Sequence, residues 1–115
     1  EKATLTFNGI GHIIKGAKGA DAQQESRVLM LSDQARSDAN PILLIDENDV
    51  TAGHAASIGQ VDPEDMYYLM SRGLDQATAE RLVVRGFLGS VIVEIPVKEV
   101  REEMIQTIED KLLKR

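Results

Sequence analysis

The stretch Gly59-Gln60-Val61-Asp62-Pro63-Glu64-Asp65-Met66 divides the sequence into two parts with different residue patterns. Within it, Asp62 is a good helix N-cap, Pro63 suits the first helical position, and two acidic residues follow where the helix dipole favours negative charge. A helix is therefore expected to begin at this point. We expect residues 1–61 to be rich in strands and residues 62–115 to be helical.

Residues 1–61 contain short apolar runs separated by polar and glycine-rich stretches. The first run alternates apolar and polar residues with period two, as a half-buried strand does. The candidate strands are residues 4–8, 28–31, 42–45 and 55–58. The stretches between them, residues 9–19, 32–41 and 46–49, have the composition of turns and loops. Because no helical stripe links the runs, alternating strand–helix units are disfavoured, and a sandwich, a barrel and the rungs of a β-solenoid all remain open.

Residues 62–115 show three amphipathic segments. The first is expected to end at Gly73, a typical residue just beyond a helix C-terminus. Asp75 is a good N-cap for the second helix, and Pro96 ends that helix and opens the third. The apolar residues of the first two helices are Met66, Leu69, Met70, Ala79, Val83, Val84, Phe87, Leu88, Val91, Ile92 and Ile95. Those of the third helix are Val97, Val100, Met104, Ile108 and Leu112.

The composition indicates a globular protein of one domain or two small packed subdomains, with 115 residues of which 43% are apolar and 28% charged. The formal net charge is −6, and residues 1–61 carry five basic and eight acidic side chains while residues 62–115 carry eight and eleven. Because neither half is basic and the chain has only four aromatic residues, we expect no nucleic-acid partner. No apolar run approaches the length that crosses a membrane.

The chain contains no cysteine. Disulfides, thiolate zinc sites, thiol nucleophiles and cysteine-ligated iron–sulfur clusters are therefore excluded within it. The lack of cysteine fits a reducing compartment, and we expect a cytoplasmic location. No secretory signal opens the sequence, which begins at Glu1 in what resembles the middle of a strand, so we expect it to be a fragment of a larger protein.

Short catalytic motifs are present only in incomplete form. The segment 9–16 has Ile14 where a dinucleotide-binding loop needs its third glycine, and Gly16 is not followed by the Lys-Ser/Thr pair of a P-loop. The two histidines, His12 and His54, are too few for a catalytic metal site with three protein ligands unless carboxylates converge on them. These residues predict no self-sufficient active site.

A long ordered string of residues carries a specific resemblance. It reads Asp-Val-Thr-Ala-Gly-His-Ala-Ala-Ser-Ile-Gly-Gln at residues 49–60, continues through Tyr-Leu-Met-Ser-Arg-Gly at residues 68–73, and is followed by Ala-Glu-Arg-Leu-Val-Val-Arg-Gly-Phe at residues 79–87. The string resembles the SufB/SufD family of iron–sulfur cluster assembly proteins, and the similarity covers essentially the whole chain. The resemblance implies that residues 1–61 are the last rungs of a β-helical (β-solenoid) core and that residues 62–115 are a small three-helix C-terminal subdomain.

The resemblance also implies a function. SufB and SufD pair into a non-catalytic scaffold that binds the SufC ATPase and builds iron–sulfur clusters for delivery to apoproteins. SufB-type members carry a cysteine late in the β-helix and acidic residues beside the histidine, whereas residues 23–27 here lack a cysteine and His54 is flanked by Gly53 and Ala55. The chain is therefore similar to the SufD type. Its expected partners are a SufB-like subunit and a SufC-like ATPase, with a homodimer as an alternative assembly.

Two sites are expected, the first from the resemblance and the second from the residue types of the first helix. His54 is expected to face the cysteine of a SufB-like subunit and to act as a ligand of a nascent iron–sulfur cluster. That cluster is expected to be transient and to form only in the complex, not in the isolated fragment. The small residues around His54 also leave its imidazole as the only ligand in the stretch. The expected ATPase-docking residues lie on the first helix and at its exit, and they are Met66, Tyr67, Met70 and Arg72.

Two other classes of function stay open from the sequence. A β-solenoid or barrel enzyme of acyltransferase or cupin-like type would use His54 as a base or metal ligand, and it would need further ligands converging on that side chain. A purely structural oligomerisation domain would be indifferent to mutation of His54.

Overall fold

The computed structural model describes residues 2–114, which form four strands followed by three helices, so the predicted mixed β and α architecture is confirmed. The chain divides into two compact units, Glu1–Gln60 and Val61–Arg115, which are called the strand unit and the helical unit below. The strands are β1 (Thr4–Ile13), β2 (Asp21–Met30), β3 (Arg36–Ile45) and β4 (Thr51–Gln60). The helices are α1 (Pro63–Ser71), α2 (Gln76–Ile92) and α3 (Lys98–Leu113). None of these helices is long and apolar enough to cross a membrane, over the part of the chain that is described.

The four strands form two parallel sheets of two strands each, and each sheet takes alternate strands along the chain. β1 pairs with β3 from Thr4 opposite Arg36 onward, an offset of 32 residues. β2 pairs with β4 from Asp21 opposite Thr51 onward, an offset of 30 residues. β3 contacts both strands of the other sheet. Each connection between consecutive strands therefore takes the chain from one sheet to the other.

One face of each sheet is directed at the other sheet. Gly9 and Ile13 of β1 are buried, and Gln24 of β2 lies against Gly9, because a Cβ atom added to Gly9 would overlap Gln24 Nε2. Odd positions of β1 and even positions of β2 thus form an inner layer. Register partners in a parallel pair lie on the same face, so the even positions of β4 continue this layer. On β4 the layer is open to solvent, since residues 54–60 are all exposed.

The strands are longer than the apolar runs that predicted them. β1 continues through Gly9 and Gly11, where the glycine-rich composition predicted a turn, and that prediction was wrong. The reason is the close approach of another side chain: glycine within a strand marks a place where such a group needs the space of a missing Cβ. The prediction of a loop across residues 32–41 was also wrong in part, because β3 begins at Arg36.

The two loops at one end of the strand unit are bonded to each other. The N–H of Gly19 donates to Asp49 O at 2.6 Å, and the N–H of Gly16 donates to Glu47 Oε2 at 2.9 Å. The N–H of Gly16, followed by that of Asn48, lowers the pKa of Glu47 below its usual value. Gly16 and Gly19 both have positive φ (95° and 74°), which glycine adopts without strain. The loop prediction for residues 16–19 and 46–49 is confirmed, and the contacts join the β1–β2 connection to the β3–β4 connection.

The first helix begins and ends as its sequence predicts. Asp62 accepts a hydrogen bond from the N–H of Glu64 at 2.8 Å, and Pro63 occupies the first helical position. At the other end, Gly73 has a φ of 95°, and its N–H donates to Met70 O at 3.0 Å. The next N–H along the chain, that of Leu74, donates to Leu69 O at 3.4 Å. This pair of bonds is the Schellman arrangement, and it satisfies carbonyls that would otherwise lack a partner.

Within the described residues, the second helix supplies the buried apolar residues of this unit. Ala79, Val84 and Ile92 of α2 are buried. The second helix ends at Ile92 rather than continuing to Pro96 as predicted, because proline disfavours helical backbone in the residue before it. The apolar stripe predicted for α3 is present but half-exposed, with Met104 at 39%.

Asp75 makes the start of α2 sensitive to acid. Its carboxylate accepts hydrogen bonds from the N–H of Thr78 (2.8 Å) and from Thr78 Oγ1 (3.1 Å), and these bonds, the backbone one first, lower the pKa of Asp75. Because the folded-state pKa is depressed, this carboxylate stabilises the fold above its unfolded pKa of about 4, and the stabilisation is lost as the pH falls through the folded pKa.

We therefore expect Asp75→Asn, which keeps a good cap without the charge, to melt below the wild type at neutral pH and to converge with it in acid. Thermal unfolding of both proteins across a pH series measures this difference. A melting difference that keeps its neutral-pH value as the pH falls well below about 4 would contradict the assignment.

Candidate functional site

His54 lies in the middle of β4, on the face that continues the inner layer of the strand unit. It is exposed, and its register partner on β2 is Gln24. The neighbours on the same face of β4 are Ala52 and Ala56, which carry no polar side-chain atom. Across residues 2–114, no group of three or more His, Cys, Asp or Glu side chains could hold a metal ion. A metal or cluster bound by His54 would therefore need ligands from outside these residues.

Gln24 is the polar side chain that sequence reasoning missed. Its amide nitrogen lies against Gly9, and its Oε1 is buried without a hydrogen-bond partner. The signal that could have found it is the 30-residue offset between β2 and β4, which places Gln24 beside His54. That offset is a property of the sheet, and it cannot be deduced from the apolar runs of β2 and β4 alone.

The second histidine lies in a different environment. His12 belongs to the outward positions of β1, and its Nε2 is 2.8 Å from Asp46 Oδ2, just beyond the end of β3. Both side chains are substantially exposed, at 45% and 60%. His12 and His54 lie on different sheets, His12 on an outward face and His54 on the face that continues the inner layer. The structure therefore does not bring them together into one metal site.

The predicted docking residues of the first helix divide into two groups. Met66, Tyr67 and Met70 share one face by their helical spacing, and Tyr67 is 76% exposed while Met70 is 44% exposed. Arg72 instead lies against Tyr68: its guanidinium carbon is 5.1 Å from the ring centroid, and its Nη2 donates to the tyrosine hydroxyl at 3.1 Å. The helix thus presents an apolar and aromatic surface (Met66, Tyr67 and Met70) beside a separate Arg72–Tyr68 pair.

Comparison with known proteins identifies the family. Residues 1–87 match the family described as SUF system FeS cluster assembly, SufBD core domain. The chain is 60% identical over 112 residues to the iron-sulfur cluster assembly protein SufD of Bacillus subtilis, covering 97% of this chain and 26% of that protein. It is 46% identical over 97 residues to an iron-sulfur cluster assembly SufBD family protein of Mycobacterium bovis, covering 84% of this chain and 24% of that protein.

A third relative, an iron-sulfur cluster assembly SufBD family protein of Mycobacterium leprae, is 42% identical over 97 residues, covering 84% of this chain and 25% of that protein. The chain thus spans about a quarter of the length of these curated relatives. The family model matches well over half of the chain, and the resemblance of residues 49–87 to the SufB/SufD family is confirmed. The chain therefore belongs to the SufBD core-domain family of the SUF iron–sulfur cluster assembly system, and its similarity within that family is to SufD.

Proposed function

We propose that this chain is part of a SufD-like, non-catalytic scaffold subunit that takes part in building iron–sulfur clusters. The family membership and the 60% identity to a SufD support this function. The observation that carries it is the setting of His54: an exposed imidazole that is not part of any metal-binding group within residues 2–114. Such a side chain suits a site that is completed by a second protein. The cluster is cargo that passes through this site, and neutral imidazole is a suitable ligand for its iron.

The strand unit is, in this proposal, the end of a β-solenoid. Parallel pairing of alternate strands is the arrangement that successive rungs would produce, with β1 and β2 in one rung and β3 and β4 in the next. The bonded loops that join Gly16 to Glu47 and Gly19 to Asp49 support the same stacking. The helical unit would then follow the last rung.

The second protein at His54 is, in this proposal, a SufB-like subunit. Within the described residues β4 pairs only with β2, so its other edge is available to a strand of another chain. The exposed face of residues 54–60 adjoins that edge. A cysteine supplied there by the SufB-like subunit would provide the thiolate that this chain lacks.

The third component of the proposed assembly is a SufC-like ATPase that docks on the first helix. On this surface Tyr67 and Met70 are exposed and Met66 is half-buried, so it offers an aromatic anchor with flexible apolar neighbours. Tyrosine and arginine are frequent anchors in protein interfaces. Arg72, held beside Tyr68, adds a positive charge next to this surface. The ATPase would contribute the nucleotide chemistry, and the scaffold would contribute the binding surfaces.

Co-purification tests the proposed function as a whole. The full-length protein, produced with its SufB-like and SufC-like partners, is expected to elute as one complex that carries iron and acid-labile sulfide after reconstitution. The matched control is the full-length protein reconstituted alone, which is expected to carry neither. Equal iron and sulfide in the lone protein, or a complex that forms without this subunit and builds clusters at the normal rate, would contradict the proposal.

A further inference from the structure

The inner layer of the strand unit contains an unsatisfied acceptor on Gln24, the register partner of His54. Gln24 Oε1 is buried and has no hydrogen-bond partner. Leaving a buried acceptor unpaired is unfavourable, and such groups are rare in folded proteins. The unpaired oxygen of Gln24 therefore needs an explanation, since no residue of its own strand bonds to it.

The register places Gln24 beside His54. Gln24 and His54 are directly opposite each other in the parallel pair of β2 and β4, so their side chains leave the same face of the sheet. Adjacent strands lie about 4.8 Å apart, which is within reach of two long polar side chains. The neighbours of His54 along β4, Ala52 and Ala56, offer no competing acceptor.

The glycines of β1 determine where the amide of Gln24 lies. A Cβ atom at Gly9 would overlap Gln24 Nε2, and a Cβ atom at Gly11 would lie 3.7 Å from Gln24 Oε1. The side chain thus occupies space that exists because β1 has no Cβ at position 9. Any larger residue at Gly9 would displace the amide while leaving Gln24 and His54 themselves unchanged.

From this arrangement we propose that Gln24 is a positioning residue for His54. A neutral imidazole has one N–H donor and one acceptor nitrogen, and a metal-binding histidine usually donates its N–H to an oxygen outside the metal's own ligands. Gln24 Oε1, which has no partner within the described residues, is the oxygen for this role: in the assembled site it would accept the ring N–H and leave the other nitrogen free for iron. The inference deepens the proposed function and rests on it, because it requires His54 to bind iron.

The test measures the affinity of the assembled full-length complex for Fe²⁺ by competition with a chelator. Gln24→Leu removes the acceptor, and Gly9→Ala displaces it without altering either Gln24 or His54. Loss of such an outer hydrogen bond is expected to lower the affinity by about 10- to 100-fold in both variants. Gln24→Glu keeps an oxygen acceptor and is expected to retain most of the affinity. Gln23→Leu is the matched control, because Gln23 lies on the opposite face of β2, against Gly53, and donates to Asp21.

The outcomes separate this inference from the function on which it rests. If His54→Ala leaves the Fe²⁺ affinity unchanged, the role of His54 is wrong, and the role of Gln24 falls with it. If His54→Ala loses affinity but Gln24→Leu and Gly9→Ala do not, only the positioning role is wrong. Equal losses in Gln24→Leu, Gln24→Glu and Gln23→Leu would indicate general damage to β2 and would also overturn it. Should Gln24→Leu fail to assemble, Gly9→Ala decides, since it retains the glutamine.

Discussion

Replacing His54 with alanine is expected to leave the complex assembled and hydrolysing ATP while iron–sulfur cluster formation collapses. The physical reason is that His54 is an exposed side chain on β4 with alanine neighbours on its face, so alanine fits the strand without leaving a cavity. What the variant loses is an imidazole that can bind iron. Elution of the complex, its ATPase rate, and its iron and acid-labile sulfide content together measure the effect.

His12→Ala is the matched control for this experiment. His12 lies on the outward face of β1 and its ring bonds to Asp46, so its loss is expected to leave cluster yield close to that of the wild type. A normal cluster yield in His54→Ala would refute the role of that residue. Failure of the His54→Ala complex to assemble would show a structural role for His54 instead.

Replacing Tyr67 with alanine is expected to weaken ATPase binding by roughly 30-fold, the loss typical of an aromatic anchor at the centre of an interface. Tyr67 is 76% exposed, so little of its surface is used within the helical unit, and the variant is expected to melt with the wild type. Titration calorimetry of the full-length protein with the ATPase measures the affinity, and thermal unfolding checks the fold.

The neighbouring Arg72–Tyr68 pair provides the control for the docking surface. Tyr68→Phe removes only the hydroxyl that accepts from Arg72 Nη2, and it is expected to change ATPase affinity far less than Tyr67→Ala does. Arg72→Ala tests whether the positive charge contributes as well. Unchanged ATPase binding in both Tyr67→Ala and Arg72→Ala would refute docking on the first helix.

The helical unit was the more predictable of the two, because its signals are local. An N-cap and the residues it caps are neighbours in the chain, so Asp62 and Asp75 could be assigned from a few positions. The end of α2 was placed too late, since its apolar residues continue as far as Ile95 while the proline at position 96 already disfavours helix before it. Local patterns therefore predicted both ends of α1 and the start of α2, but not the end of α2.

The strand unit was less predictable, because the pairing that defines it is not local. Gly9 reads as a turn residue until Gln24, fifteen positions later, is seen to lie against it. The motif around His54 was visible in the sequence and pointed to the family. The position of Gln24 beside His54 could not be predicted, because register is decided by packing between sheets rather than by the composition of either strand.

The alternate-strand pairing has a consequence for how the chain acquires its structure. Every register pair within a sheet joins residues 30 or 32 positions apart, so each pairing requires the closure of a loop of about that length. Contacts between α1 and α2, and between α2 and α3, join segments that follow one another directly. Since local contacts form faster than distant ones, the helical unit is expected to acquire its structure before the strand unit. In refolding of the complete chain from denaturant, the part nearest its C-terminus would then be ordered first.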